Sequence, residues 1–203
     1  MATARIVGEH DPWRMRRMEP VLAVTDALIA VDVQNDFMPG GSLPVPDGDA
    51  VVPVVNQWLR AAVRGNAVIA ASRDWHPADH VSFQENGGPW PTHCVQETPG
   101  AAFHPNFALP EDFLLVTKGD TSSLEQYSAF DATGLAERLR GRGVTRIFVC
   151  GLALDVCVKA TVQDGVRLGF ETSVITAASR AIDKASGQQA TDEMRRAGAI
   201  ILE

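Results

Sequence analysis

A chain of 203 residues, 45% of them apolar and 21% charged, has the size and make-up of one globular domain, which excludes fibrous and disordered classes. Its formal charge of -7 is the wrong sign for a nucleic-acid binder, and no apolar run approaches the roughly 20 residues that cross a bilayer. Three cysteines, Cys94, Cys150 and Cys157, show no paired spacing and read as reduced thiols, which points to the cytoplasm.

Residues 1–26 read as a ragged N-terminal extension ahead of a domain at 27–203. Arg14, Arg16 and Arg17 precede a weakly apolar stretch, but Thr25 and Asp26 interrupt it before it reaches the length of a signal-peptide core. Met15 and Met18 are alternative starts.

From there short apolar runs alternate with helical patterns. The runs at 27–33, 66–72, 113–117, 146–152, 171–176 and 199–202 lack period-two alternation, as expected of strands covered on both faces. Residues 51–64 carry Val52, Val55, Trp58, Leu59 and Ala62 at helical spacing. Further helices are predicted at 135–142, 155–168 and 188–197. This alternation predicts an α/β protein with three layers, helices covering both faces of a mostly parallel, doubly wound six-stranded sheet. The segment 75–111 holds six of the twelve prolines and four of the five histidines, and so long an irregular stretch is usually functional. Ligands of such sheets bind beyond the carboxyl ends of the strands, so the residues just after each strand are the ones to weigh.

Four such positions carry chemistry. Cys157 follows the fourth strand, and with Asp155 as N-cap it falls in the first helical turn, where free N–H groups and the helix dipole lower a thiol's pKa. Gly151 and Ala153 permit a tight turn whose N–H groups could bind an oxyanion, whereas Cys150 is better explained as core. Asp32 sits in an apolar strand, where a charge is costly unless used or paired, and can act as a general base toward the thiol. Asp36 has the blander reading of satisfying loop backbone groups. Lys118 closes the third strand and would keep Asp32 ionised, against the usual fate of a lysine, which is solvation. Asp74 and His76 follow the second strand, with His80 and His93 near in sequence. Such nitrogen and oxygen donors suit a divalent cation (zinc, iron or manganese), with Glu85 as an extra ligand and Cys94 a weaker one. No G-x-S-x-G elbow, P-loop or dinucleotide fingerprint occurs.

Five motifs stand in one order: VDVQNDF (31–37) with GGSL (40–43), DWHPADHVSF (74–83), WPTHC (90–94), a lysine at 118 followed by YSAF (127–130), and GLALDVC (151–157). In this the chain resembles the nicotinamidase branch of the isochorismatase-like cysteine hydrolase superfamily, from about residue 27 to the end. The resemblance implies an isochorismatase-like hydrolase fold and a triad of Asp32, Lys118 and Cys157. It also implies a cis peptide between Leu152 and Ala153, and an oxyanion site at the Ala153 and Cys157 N–H groups. One metal ion is implied at Asp74, His76 and His93, with His80 or Glu85 as a further ligand and zinc ahead of iron or manganese. Phe37, Trp90 and Tyr127 match substrate-pocket positions. The implied reaction is metal-dependent hydrolysis of nicotinamide to nicotinate and ammonia through a cysteine thioester, with pyrazinamide as a second substrate and a role in NAD salvage. The implied partner is a small amide, with neither nucleic acid nor membrane, and homo-oligomerisation is left open. The alternative is a sibling amidase acting on a linear amide or carbamoyl compound. Such siblings commonly share the triad but lack the metal cluster. One departure is Leu154, where relatives commonly carry threonine before the aspartate.

Overall fold

The computed structural model describes residues 21–203. Most of the expected extension therefore lies outside the described residues. Within them, Leu22 is already buried in the core and Asp26 opens the first strand, so folded structure begins ahead of residue 27.

Six strands form one sheet: β1 (Asp26–Val31), β2 (Val68–Asp74), β3 (Leu114–Lys118), β4 (Arg146–Leu152), β5 (Glu171–Arg180) and β6 (Ile200–Leu202). Every pairing is parallel and the order is β3-β2-β1-β4-β5-β6, the expected doubly wound sheet. The chain winds outward from β1 through β2 to β3, then returns to β1's other side with β4. The reversal lies between β1 and β4, and their carboxyl ends are where a ligand crevice opens.

Helices α1 (Val51–Arg64), α2 (Leu135–Arg140), α3 (Lys159–Arg167) and α4 (Lys184–Ala197) complete the layers. Alternate residues of each strand feed opposite faces. Leu28, Ala30, Ile69, Ala71 and Phe148 pack with Val55 and Leu59 of α1. On the other face Ile29, Val31, Ala70 and Val149 meet Leu139 of α2, Val162 of α3 and Met194 of α4. Two dry faces explain the unbroken apolar runs.

Boundaries differ for local reasons. β1 ends at Val31, two residues early, because Asp32 takes a left-handed backbone (φ 51°) that turns the chain away. β5 runs on to Arg180 after a register shift against β4 between Val149 and Gly151. α4 begins at Lys184, four residues early, because the Asp183 carboxylate caps it, accepting the N–H groups of Ala185 (2.8 Å) and Ser186 (3.0 Å).

Candidate active site

The ends of β1, β2, β3 and β4 converge on one buried cluster. Lys118 at the end of β3 is fully buried, not solvated. Its Nζ donates to Asp32 Oδ2 at 2.7 Å and to the Tyr127 carbonyl at 3.1 Å, and lies 2.8 Å from Asp74 Oδ1. Asp32 is held from its other side by the Ser72 hydroxyl, which donates to Oδ1 at 2.7 Å. Candidate ligand atoms of Asp32, Asp74 and Cys157 lie within 4.8 Å of one another. The thiol, two carboxylates and an ammonium therefore form one unit.

Electrostatics follow from that burial. Desolvation pushes the Asp32 carboxyl up to about 6 despite Lys118 beside it. Burial acts to lower the Lys118 pKa, but Asp32 and Asp74 outweigh it and hold the pKa well above the ordinary lysine value. For Asp74 burial acts upward, yet Lys118, with His76 and His93, outweighs it and leaves the carboxyl below its usual range.

Two expectations about Cys157 are corrected. It lies in a π turn, Leu154–Val158, ahead of α3, and Asp155 does not cap the helix. The Asp155 carboxylate instead accepts the Ile182 N–H, at 3.0 and 3.2 Å, and the Ser186 hydroxyl. Nor is the thiol's pKa lowered: burial carries it well above the ordinary cysteine value, with Lys118 opposing and the two carboxylates adding to the rise. A thiol in this setting keeps its proton at rest, so a neighbouring base has work to do. The peptide between Leu152 and Ala153 is cis, as the motif resemblance implied. Gly151 before it is obligatory, since φ is +119° and a Cβ would lie 2.1 Å from the Val31 carbonyl oxygen.

Beside this unit Asp74, His76 and His93 bring candidate ligand atoms within 4.8 Å of one another. Each histidine has its tautomer set by a carbonyl. His76 Nδ1 donates to Gly119 O at 3.0 Å and His93 Nδ1 to Pro91 O at 2.7 Å, leaving each Nε2 with a lone pair. Burial lowers the pKa of both rings, His76 to about 4, so both are neutral near pH 7. Asp74 Oδ1 is buried without a well-directed hydrogen bond, although Lys118 is close. Two neutral imidazoles with free lone pairs and a carboxylate with spare capacity fit a divalent cation.

Neither further candidate ligand joins them. His80 Nδ1 accepts the Ser82 N–H at 3.2 Å and lies 2.7 Å from its hydroxyl, and Nε2 donates to Leu124 O at 3.0 Å, so no lone pair remains. Its ring instead stacks on His76, centroids 4.1 Å apart. Glu85 is exposed in a short turn, Gln84–Asn86. Asp36 keeps its bland role, accepting the N–H groups of Cys94 (2.7 Å) and Ser42 (3.1 Å). Cys150 is core, as expected.

A cleft opens over the cluster, lined by Asp74, His93, Ala153 and Cys157 and walled by Phe37, Trp90 and Tyr127. Trp90 Nε1 donates to the Tyr127 hydroxyl at 3.1 Å, fixing both rings, and Phe37 packs against His93 with centroids 5.7 Å apart. Leu43, Glu125, Val156 and Ile182 also line it and were not anticipated from sequence. Leu43 belongs to the GGSL motif and Val156 adjoins Cys157, so both were within reach of sequence reasoning. Nothing local marks Glu125 or Ile182.

The isochorismatase domain matches residues 26–203, and the chain belongs to that family. Within it, the chain is 40% identical to the nicotinamidase of Escherichia coli K12 over 201 residues, 86% of this chain and 93% of that one. The zinc complex of Pyrococcus horikoshii pyrazinamidase superposes with a TM-score of 0.86 at 47% identity, covering 88% of this chain and 99% of that one. PnC1 from L. infantum, solved with nicotinate, superposes at 0.82 with 39% identity over 90% and 94% of the two chains.

Proposed function

We propose that this protein hydrolyses nicotinamide to nicotinate and ammonia through a thioester on Cys157. Pyrazinamide, a related ring amide, is proposed as a second substrate. The observation that carries the reading is the Lys118 ammonium set between Asp32 and Asp74, beside Cys157, at the floor of an aromatic cleft. Similarity to nicotinamidases and a pyrazinamidase supports the same substrate.

In this mechanism the ring enters between Phe37 and Trp90 with its carboxamide over Cys157. Asp32 takes the thiol proton while Lys118 balances the charge, and sulfur attacks the amide carbon. The N–H groups of Ala153 and Cys157 receive the oxyanion. As the tetrahedral adduct collapses, Asp32 returns the proton to the nitrogen and ammonia leaves. Asp32 then draws a proton from water, whose oxygen attacks the thioester. Nicotinate departs, and Cys157 regains its proton from Asp32. Asp74, His76 and His93 would hold a divalent cation, zinc ahead of iron or manganese, which when bound supplies a Lewis-acid position for the ring nitrogen.

A sibling amidase acting on a linear amide would need the same thiol and base. The paired histidines with fixed tautomers favour a ring-nitrogen substrate over that reading. Among the described residues no helix is long and apolar enough to cross a membrane. The described cysteines are all free thiols, which supports a reducing cytoplasm, and the proposed hydrolysis of nicotinamide gives the protein a role in NAD salvage. Ammonia release from nicotinamide by purified protein, before and after chelation and zinc return, tests the reading. Release that falls and recovers supports it; none from zinc-loaded protein rejects it.

A further inference from the structure

Gln34 is fully buried, yet it does not line the cleft. Its side-chain amide is spent on one neighbour above all. Nε2 donates to the Asp74 carbonyl at 2.7 Å, and Oε1 accepts the Asp74 N–H at 2.8 Å. The second Nε2 hydrogen goes to the Ala101 carbonyl at 2.9 Å.

The sheet explains why Asp74 needs this. β1 and β2 pair up to Val31 and Ser72, and the Asp32 N–H still reaches the Ser72 carbonyl at 3.1 Å. Beyond that point β1 turns away, because Asp32 is left-handed. Residues along a strand alternate in which neighbour they bond, so Asp74 faces the same side as Ser72 and meets no β1 backbone there. On the other side β3 continues, with Trp75 N–H bonded to the Lys118 carbonyl at 3.0 Å. The Gln34 amide thus supplies the missing rung of the ladder, at the residue whose carboxylate lies between Lys118 and His76.

We propose that Gln34 is a positioning residue for metal binding: by completing the ladder at Asp74 it aims that carboxylate at the ion. This rests on the metal site read above. Gln34 touches neither Asp32 nor the thiol by any hydrogen bond of its side chain, and its loss leaves the Asp74 charge in place near Lys118, so the metal should feel the change far more than the sulfur.

The test measures zinc affinity of metal-free protein by competition with a chromogenic chelator, and in parallel the rate of Cys157 alkylation by iodoacetamide. Gln34→Met keeps the volume and removes all three bonds. It is expected to raise the zinc Kd by ~10-fold or more while alkylation stays within about twofold of the unsubstituted protein. Should that variant not fold, Gln34→Asn keeps the chemistry but is too short to reach, and the same split is expected. An unchanged zinc Kd in either folded variant overturns the proposal. So does a matching loss of alkylation, which would mean that Gln34 merely supports the whole site. If the unsubstituted protein itself takes up no zinc, the metal reading fails first and this inference with it.

Discussion

Asp74 and Lys118 meet at 2.8 Å, although one belongs to the metal-capable trio and the other to the group around the thiol. The two clusters are therefore electrostatically joined through a single carboxylate. Asp74 raises the pKa of both Asp32 and Cys157, by like-charge repulsion, beneath the larger effect of burial.

Asp74→Asn and His76→Ala should accordingly give different phenotypes. Both should lose zinc, with affinity down by at least ~100-fold. Only Asp74→Asn removes charge next to Lys118, so only there should the acid limb of Cys157 alkylation move to lower pH, by about one unit. Alkylation profiles measured on metal-free proteins check this. Identical profiles for the two variants would show that Asp74 does not couple the clusters.

Cys157→Ala should keep the fold and the zinc while turnover falls on the order of 10⁴-fold or more, since no other described thiol lines the cleft. Ammonia release and zinc content on one preparation decide it. Residual turnover near the unsubstituted level would remove Cys157 as nucleophile.

The acid limb of the pH profile should belong to Asp32. As base it must be unprotonated, and burial places its carboxyl at about 6. Nicotinamide kcat/KM should therefore drop as pH falls through about 6, the midpoint reporting the coupled Asp32–Lys118–Asp74 group. Stability moves the other way. A carboxyl with a raised folded-state pKa binds its proton more tightly when folded, so its contribution is present below the ordinary aspartate value of 3.8 and is lost as pH rises through about 6. An acid limb near the ordinary carboxylate value would reject the assignment.

How much of this was legible in the sequence depended on whether the cause was local. Strands covered on both faces announce themselves as apolar runs, the carboxyl-end rule then selects Asp74, Lys118 and Cys157, and Asp32 stands out as a charge inside an apolar strand. What stayed hidden came from partners far along the chain. Burial of Lys118 rests on Asp32, 86 residues away, and the hydrogen bonds of Asp155 come from Ile182 in the link after β5 and Ser186 in α4, 27 and 31 residues on. His80 reads as a ligand from its place among the other donors and from the resemblance. Only the fold reveals that Ser82 and Leu124 occupy both its nitrogens.

Gly119 offers a probe of His76 that substitutes none of the candidate ligands. Its φ is +57°, and an added Cβ would stand 2.4 Å from His76 Cε1 and 2.5 Å from Nδ1. The ring must shift, weakening the bond from Nδ1 to the Gly119 carbonyl that sets its tautomer. Gly119→Ala should thus weaken zinc by ~10–100-fold, read by chelator competition. Unaltered affinity would mean that His76 is not held by this contact.

The last prediction concerns the link between Asp155 and Ile182. Asp155 sits two residues before Cys157, and its carboxylate holds the N–H of Ile182, which lines the cleft, together with the Ser186 hydroxyl at the start of α4. One side chain therefore ties the turn that carries the thiol to the part of the cleft lining at Ile182. Asp155→Ala removes the charge-assisted bonds to the part-buried Ile182 N–H and the Ser186 hydroxyl and should cost about 2 kcal/mol in urea unfolding. It should also lower kcat/KM for nicotinamide, because the wall and the sulfur lose their common anchor. Ser186→Ala removes only the hydroxyl and keeps the bond to Ile182, so it should cost about 1 kcal/mol and leave hydrolysis nearly intact. Equal damage to hydrolysis in both variants would show that the α4 attachment, rather than the Ile182 wall, is what keeps Cys157 in place.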